Sequence, residues 1–258
     1  MANTLKGLTA LVTGGGRGIG RAIALHLAQN GANVAVSART KSQIESVAEE
    51  IKNVGSTSLA IIADATEEKS AKLPISQTIE RFGRLDILIN NVGGRVPGSQ
   101  DPFNEQPGIF EANITLNLTS AHWATVEAPP SMRQHDFGRI IMIGSGYSKR
   151  SGGDLAYTAA KHGLVGLTKA LASKVSDMNI TVNTLCPGWT NTKLVDWEAM
   201  GRARGASSGE AHQWASSNNL QNRVLEPEEL GPMAVLLSSP QSYGITGQVI
   251  SVDGGYKV

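Results

Sequence analysis

The sequence predicts an α/β protein built on a doubly wound parallel sheet of about seven strands, with helices on both faces. Two patterns lead to this. Short apolar runs recur along the whole chain, at 10–13, 33–37, 58–63, 85–90, 139–143, 181–186 and 248–252. They are near-continuous in Val, Ile, Leu and Ala, which suits strands buried on both faces. Longer amphipathic stretches separate them, at 19–30, 41–53, 67–82, 103–132, 156–176 and 227–237. Strand, helix and strand repeated in this way imply right-handed crossovers and a parallel sheet.

Composition narrows the function. Lys+Arg number 23 against 22 Asp+Glu, a net charge of +1, so the basic excess of a nucleic-acid binder is missing and no such partner is expected. No apolar run approaches the roughly 18 residues of a membrane span, so no membrane is expected either. Residues 1–7 lack a basic-then-apolar signal pattern. The single cysteine, Cys186, makes no intrachain disulfide, and a cytoplasmic setting is the expectation. No linker, repeat or low-complexity tract divides the chain, so 1–258 reads as one domain. Residues 188–225, rich in Ser, Asn, Gly and Arg, lack clear periodicity and read as a substrate flap. Glycine is abundant, 29 of 258 against a usual ~7%, and the question is where the backbone needs it.

The first apolar run passes through Thr13-Gly14-Gly15-Gly16-Arg17-Gly18-Ile19-Gly20 directly into a helical pattern. Such a turn lets backbone approach a pyrophosphate and aims first-turn N–H groups at it, a Rossmann-like dinucleotide cradle. The second strand leaves through Ser37-Ala38-Arg39 with no carboxylate. An acidic residue there would favour NAD, whereas Arg39, with Arg17 in the turn, favours the 2′-phosphate of NADP. Asp64, ending the third strand, has two open readings: acceptor for the adenine amino group, or N-cap of the next helix. The fourth strand stops in Asn90-Asn91-Val92-Gly93-Gly94, at the carboxyl edge where open α/β sheets bind ligands.

The fifth strand ends in Gly144-Ser145-Gly146, and twelve residues after Ser145 comes Tyr157-Thr158-Ala159-Ala160-Lys161 at a helix start. Tyr157 and Lys161, at i and i+4, share one helical face. An ammonium beside a phenol favours phenolate, so Lys161 is expected to lower the Tyr157 pKa and make it a general acid/base for an alcohol oxygen.

In this order and spacing the motifs resemble the short-chain dehydrogenase/reductase family over essentially the whole chain. The matching stretches are 13–20, Asp64, 90–93, Asn117, Ser145, Tyr157 to Lys161, Asn183 with Pro187-Gly188, and Asp253-Gly254-Gly255. The resemblance implies an oxidoreductase that interconverts a ketone or aldehyde and an alcohol with NADP(H). Tyr157 would protonate the substrate oxygen, Ser145 hydrogen-bond it, Lys161 bind the nicotinamide ribose, and Asn117 hold a relay water. Cofactor contacts would come from Gly14, Gly16, Arg17, Gly18, Ile19, Gly20, Arg39, Asp64, Ala65, Asn91, Val92, Gly93, Tyr157, Lys161, Pro187, Gly188, Thr190 and Thr192. A homotetramer or homodimer is implied as well. Three departures stand out: Val92 replaces the usual alanine, Gly144 stands where a second serine is frequent, and the Ser145–Tyr157 interval is one residue short. The shortening falls in 147–155, a segment expected to touch substrate.

Other residues read as scaffolding. His26, His122, His135, His162 and His212 lack paired-ligand spacing, so no metal is expected. Cys186 reads as core, and Gly144-Ser145-Gly146 lacks the G-x-S-x-G register of a serine hydrolase. Trp189, Trp197 and Trp214 either touch substrate or dock the flap, and Arg95 either meets an anionic substrate group or is solvated. Alternatives within the enzyme class are an NAD-dependent hydroxybutyrate-type dehydrogenase, a 3-oxoacyl thioester reductase and a reductase of a small cyclic or hydroxylated ketone. Outside it stands a non-catalytic NADP-binding scaffold.

Overall fold

Alternate residues of each central strand go to opposite faces of the sheet, and both faces are covered. The computed structural model describes residues 3–96, 98, 103–104 and 106–257. Its first half runs β1 (Thr9–Thr13), α1 (Gly18–Gln29), β2 (Asn33–Ala38), α2 (Lys41–Asn53), β3 (Ser58–Ile62), α3 (Glu68–Phe82) and β4 (Ile87–Asn90). Then follow α4 (Ile109–Ile114), a π-helical turn (Thr115–Thr119), α5 (Ser120–Glu127), α6 (Pro129–Gln134) and β5 (Gly138–Ile143). The chain closes with α7 (Leu155–Lys174), β6 (Ile180–Pro187), α8 (Trp197–Arg202), α9 (Ser208–Ser217), α10 (Gly231–Ser238) and β7 (Val249–Val252). The seven strands are all parallel, in the order β3-β2-β1-β4-β5-β6-β7. This is the doubly wound, Rossmann-like sheet that the sequence predicts.

Ala10, Val12, Val34, Val36, Ile87 and Ile89 pack on one face, against Ile23 and Leu27 of α1, Ile44 and Val47 of α2, and Leu237 of α10. Leu11, Ala35, Leu88, Ile140 and Met142 pack on the other, against Ile75 of α3, Ala124 of α5 and Leu164 of α7. The period-2 side-chain alternation is therefore hidden in sequence because both sets are apolar. Strand order reverses between β1 and β4, where Ala10 pairs with Ile87. That switch point opens a crevice at the carboxyl ends of the strands.

Two expectations shift. The helical stretch expected over 103–132 begins at Ile109, is interrupted by the π turn at Thr115–Thr119, and breaks at Pro129-Pro130 into α6; Glu105 lies outside the described residues. The segment 188–225 is not irregular throughout, since it holds α8 and α9.

Candidate active site

The glycine turn joins β1 to α1 at the switch point. Gly14 has φ +63, and a Cβ on it would lie 2.9 Å from Asn91 Nδ2. A Cβ on Gly20 would collide with both Asn91 Nδ2 and the Gly14 carbonyl. Asn91 fills that space because its Nδ2 donates to Thr13 O at 3.1 Å and Gly14 O at 3.0 Å. Its amide donates to Thr13 Oγ1 at 3.1 Å, which binds Ile89 O in turn at 3.3 Å. The Val92 amide also points at Thr13 Oγ1, at 3.4 Å. Asn91 thus holds the turn in shape. Arg17 is the N-cap of α1, exposed and extended, with no side-chain cap and no acidic residue in the first turn. The positive end of α1 remains available to an anion.

Around the turn, Arg39 is 74% exposed at the exit of β2, with a guanidinium nitrogen 4.0 Å from Asp64 Oδ2. Asp64 Oδ1 accepts from the Thr66 amide at 2.9 Å and the Thr66 hydroxyl at 2.7 Å. Burial opposes the Asp64 carboxylate, yet the Thr66 bonds and Arg39 hold its pKa below the usual value. The helix-cap reading of Asp64 is corrected: Glu67 is the N-cap of α3, and Asp64 closes an Asx turn ahead of it. Ile19 and Ala65 are partly buried nearby in the chain. After Pro187 ends β6, the Gly188 amide donates to Val252 O at 3.2 Å and Thr190 Oγ1 to Gly188 O at 3.0 Å. The chain then returns to the glycine turn, where a Cβ on Gly18 would touch Thr192 Cγ2 at 3.3 Å.

The reacting groups come from β5 and α7. Ser145 leaves β5 extended; its Oγ accepts from the Tyr147 amide at 3.2 Å and its amide donates to Ser148 Oγ at 3.1 Å. The first turns of α7 carry Tyr157, partly exposed, and Lys161, only 3% exposed. Lys161 Nζ donates to Ile143 O at 3.0 Å and lies 5.6 Å from the Tyr157 ring centroid. Across the crevice, a Cβ on Gly93 would lie 2.9 Å from Asn117 Oδ1 and 3.1 Å from Lys161 Nζ. Only a residue without a side chain lets these two groups approach the β4 exit. Asn117 sits in the π turn, its Oδ1 accepting from the Gly94 amide at 2.9 Å and its Nδ2 donating to Gly94 O at 2.8 Å and Asn113 O at 3.0 Å. Its side chain is committed to that exit loop. Ser145, Tyr157, Lys161, Gly93 and Asn117 therefore meet at one place.

The electrostatics correct one expectation. Burial pushes the Tyr157 phenol up to about 12, opposed by a hydrogen bond with Ser145. Burial pushes Lys161 down to about 8. Burial of the phenol sets the direction, against the lowering expected from Lys161. At neutral pH the pair is a neutral phenol beside a cation, the form suited to giving a proton away. Cys186 is fully buried, and burial raises its thiol pKa, in keeping with a core role.

The tryptophans of 188–225 pack against one another and against Tyr256. Trp189 meets Trp197 at 6.1 Å, Trp214 at 6.0 Å and Tyr256 at 6.5 Å between centroids, and His212 stacks edge-on to Trp197 at 5.0 Å. Arg95 pairs with Asp154, Nε to Oδ2 at 3.1 Å. Asp154 itself was legible only by rule: an acidic residue just before an apolar helix is an N-cap signal, and its Oδ1 accepts from the Tyr157 amide at 2.7 Å. Ser207 and Glu210 form a capping box that marks α9 in the same way. Among the described residues no three His, Cys, Asp or Glu side chains cluster as a metal site, and no helix is long and apolar enough to cross a membrane.

The profile described as short chain dehydrogenase matches residues 8–200. The chain belongs to that family. It is 36% identical over 258 residues to the D-beta-hydroxybutyrate dehydrogenase of Cupriavidus necator, covering 98% of each chain. It is 34% identical over 249 residues to a 3-oxoacyl-acyl-carrier-protein reductase of Staphylococcus aureus, covering 96% of this chain and 97% of the other. Among solved structures, a variant of actinorhodin polyketide ketoreductase with NADPH superposes at a TM-score of 0.90 with 30% identity, over 100% of this chain and 99% of that one. This short-chain dehydrogenase is thus an oxidoreductase of a family that acts on CH–OH and carbonyl groups.

Proposed function

We propose that this short-chain dehydrogenase reduces a ketone or aldehyde to an alcohol, or runs the reverse, with NADP(H), in one domain whose 188–225 segment is the substrate flap. The observation that carries the reading is the meeting of Ser145, Tyr157 and Lys161 beside the glycine turn, at the switch point of the sheet. The crevice suits a dinucleotide: Gly14 and Gly20 let Asn91 pack against the turn, Gly93 lets Asn117 and Lys161 reach the exit of β4, and the N-terminus of α1 is uncapped. Arg17 and Arg39 flank the place for a 2′-phosphate, with no carboxylate at the end of β2. The bound nicotinamide would supply or accept the hydride.

The chain's own residues manage the proton and the oxygen. The Ser145 hydroxyl hydrogen-bonds the substrate oxygen and holds it toward the phenol. Tyr157 Oη gives its proton to that oxygen as negative charge develops there, and takes it back in oxidation. Lys161, held at Ile143 O, places positive charge next to the resulting phenolate. The flap aromatics keep water out. The hydroxybutyrate dehydrogenase and the 3-oxoacyl reductase are named for 3-oxygenated acyl groups, which supports 3-oxo acids, esters and thioesters as the first substrate class to test.

The test follows NADPH and NADH absorbance across a ketone panel that includes acetoacetate, ethyl acetoacetate and cyclic diketones. Turnover with NADPH preferred is the expected result; binding without turnover over the whole panel overturns it in favour of a non-catalytic NADP-binding scaffold. A homotetramer or homodimer is part of the same proposal. A groove of about 470 Å³ between α5 and α7, lined by Leu118, Gly163, Gly166, Leu167 and Ala170, supports it, and light scattering that gives a monomer rejects it. A cytoplasmic setting accords with the lone buried Cys186; recovery in the secreted fraction of the source cells counts against it.

A further inference from the structure

The segment that leads from Ser145 to Tyr157 gives the catalytic helix little intrinsic guidance. Gly152 and Gly153 occupy φ +131 and +72, and both lie against the Tyr147 ring. What fixes the start of α7 is the residue that follows them. Asp154 is its N-cap, and the amide its Oδ1 binds at 2.7 Å is that of Tyr157. The other oxygen, Oδ2, accepts from Arg95 Nε at 3.1 Å. Arg95 comes directly after Gly94, whose amide and carbonyl are both held by Asn117. One carboxylate therefore spans the mouth of the crevice, from the backbone of the reacting tyrosine to the exit of β4.

We infer that Asp154 is a positioning residue for the reaction, setting where Tyr157 enters the crevice by capping α7 at its amide while Arg95 ties the cap to the opposite wall. The inference rests on the proposed function for its chemistry, and on the two hydrogen bonds for its geometry. A misplacement of the reacting atom by about 1 Å costs on the order of a hundredfold in rate. A one-residue shortening of the preceding segment is where such an error would arise. Asparagine caps helices about as well as aspartate, so the cap and the charge are separable. The charged and titratable groups around the phenol are Ser145 and Tyr147 from the β5 side, Cys186 from β6, and Lys161 and Asp154 from α7 and its cap. Of these Asp154 adds negative charge, which Arg95 offsets.

The experiment measures NADPH oxidation with ethyl acetoacetate at about pH 7, together with hydrogen exchange at the Tyr157 amide, in three variants. Asp154→Ala should lower kcat about ten- to a hundredfold with the NADPH KM within about twofold, and speed Tyr157 amide exchange about tenfold or more. Asp154→Asn should restore kcat to within about threefold of wild type and restore the amide protection. Arg95→Met, which keeps the cap and cuts its tie to the opposite wall, should lower kcat about three- to tenfold with the NADPH KM within about twofold and the amide protection retained. A wild-type kcat in Asp154→Ala, or an Asp154→Asn as slow as Asp154→Ala, overturns the inference; so does a wild-type kcat in Arg95→Met. If the wild type turns over no ketone, the proposed function falls and the exchange arm decides alone. Protection lost in Asp154→Ala and regained in Asp154→Asn then supports the positioning role, and unchanged protection overturns it.

Discussion

The two edges of the sheet bury charge in opposite ways. At the amino edge, Asp86 is fully buried but fully used: it accepts from the Thr9 amide at 2.8 Å and from Arg84 Nε and Nη2, both at 2.8 Å. Arg139, 1% exposed on the same edge, gives its donors to the carbonyls of Ser239, Gly138 and Asn179. Among the described residues no carboxylate pairs with Arg139, and burial lowers its pKa to about 10, but those three carbonyls take its donors. At the carboxyl edge Lys161, lowered to about 8, donates to the Ile143 carbonyl, and burial pushes Tyr157 beside it the other way on the pH scale. A buried cation with several acceptors serves the fold; one with a single acceptor beside a perturbed phenol suits a reactive site.

Four substitutions separate the edges. Tyr157→Phe should lower kcat about a thousandfold while NADPH binding and melting temperature stay as in wild type, because only the proton is lost. Near-normal turnover in steady-state assays would reject the acid/base role. Asp86→Ala at the other edge should do the reverse. It leaves Arg84 and the Thr9 amide without a buried acceptor, at about 3 kcal/mol in urea unfolding, with kcat per folded molecule unchanged.

Lys161→Met probes the carboxyl edge by linkage. The folded pKa of about 8 lies below the ordinary 10.5, so the native state bears the cost of the charge, on the order of 3 kcal/mol, at all pH below 8. Between those values the unfolded chain binds more protons, and wild-type stability rises with pH. The methionine variant lacks that rise but orphans the Ile143 carbonyl, at about 1–2 kcal/mol. Its stability relative to wild type should therefore be most favourable near pH 6.5 and worsen toward pH 10; a constant difference across that range would reject the buried cation. The smallest effect belongs to the exposed Arg39. Arg39→Ala should raise the NADPH KM about tenfold and leave the NADH KM within about twofold, and equal losses for both would remove the NADP preference.

The backbone-built part of the crevice was the legible part. Glycines at 14, 18, 20 and 93 announce themselves because no other residue serves where φ is positive or a neighbour sits within 3 Å. The strands were legible because burial on two faces leaves continuous apolar runs. Side-chain geometry was not. Asn91 reads as a cofactor contact in sequence, yet its amide is spent on the turn itself. The π turn at Asn117 escapes a 3.6-residue pattern, since five residues are too few to set a period of their own. The helices α8 and α9 hide among Gly, Ala and Ser, although Asp196 and the pair Ser207 and Glu210 carry cap signals at their starts. The direction of the Tyr157 shift cannot be read from the i, i+4 spacing to Lys161, because desolvation of the phenol sets it.

The strand order also dictates a schedule. Because β4 pairs with β1 only after about seventy-five intervening residues have been placed, the crevice between them has no precursor in any short piece of chain. A ribosome that has delivered the glycine turn has delivered half of a site, and the half with Tyr157 emerges later still. β7, which pairs beside Cys186 and Pro187, comes out last of all. Its place on the sheet stays open through most of synthesis, so refolding slower than that of a fold built from local contacts is expected, read as the rate of a stopped-flow refolding trace.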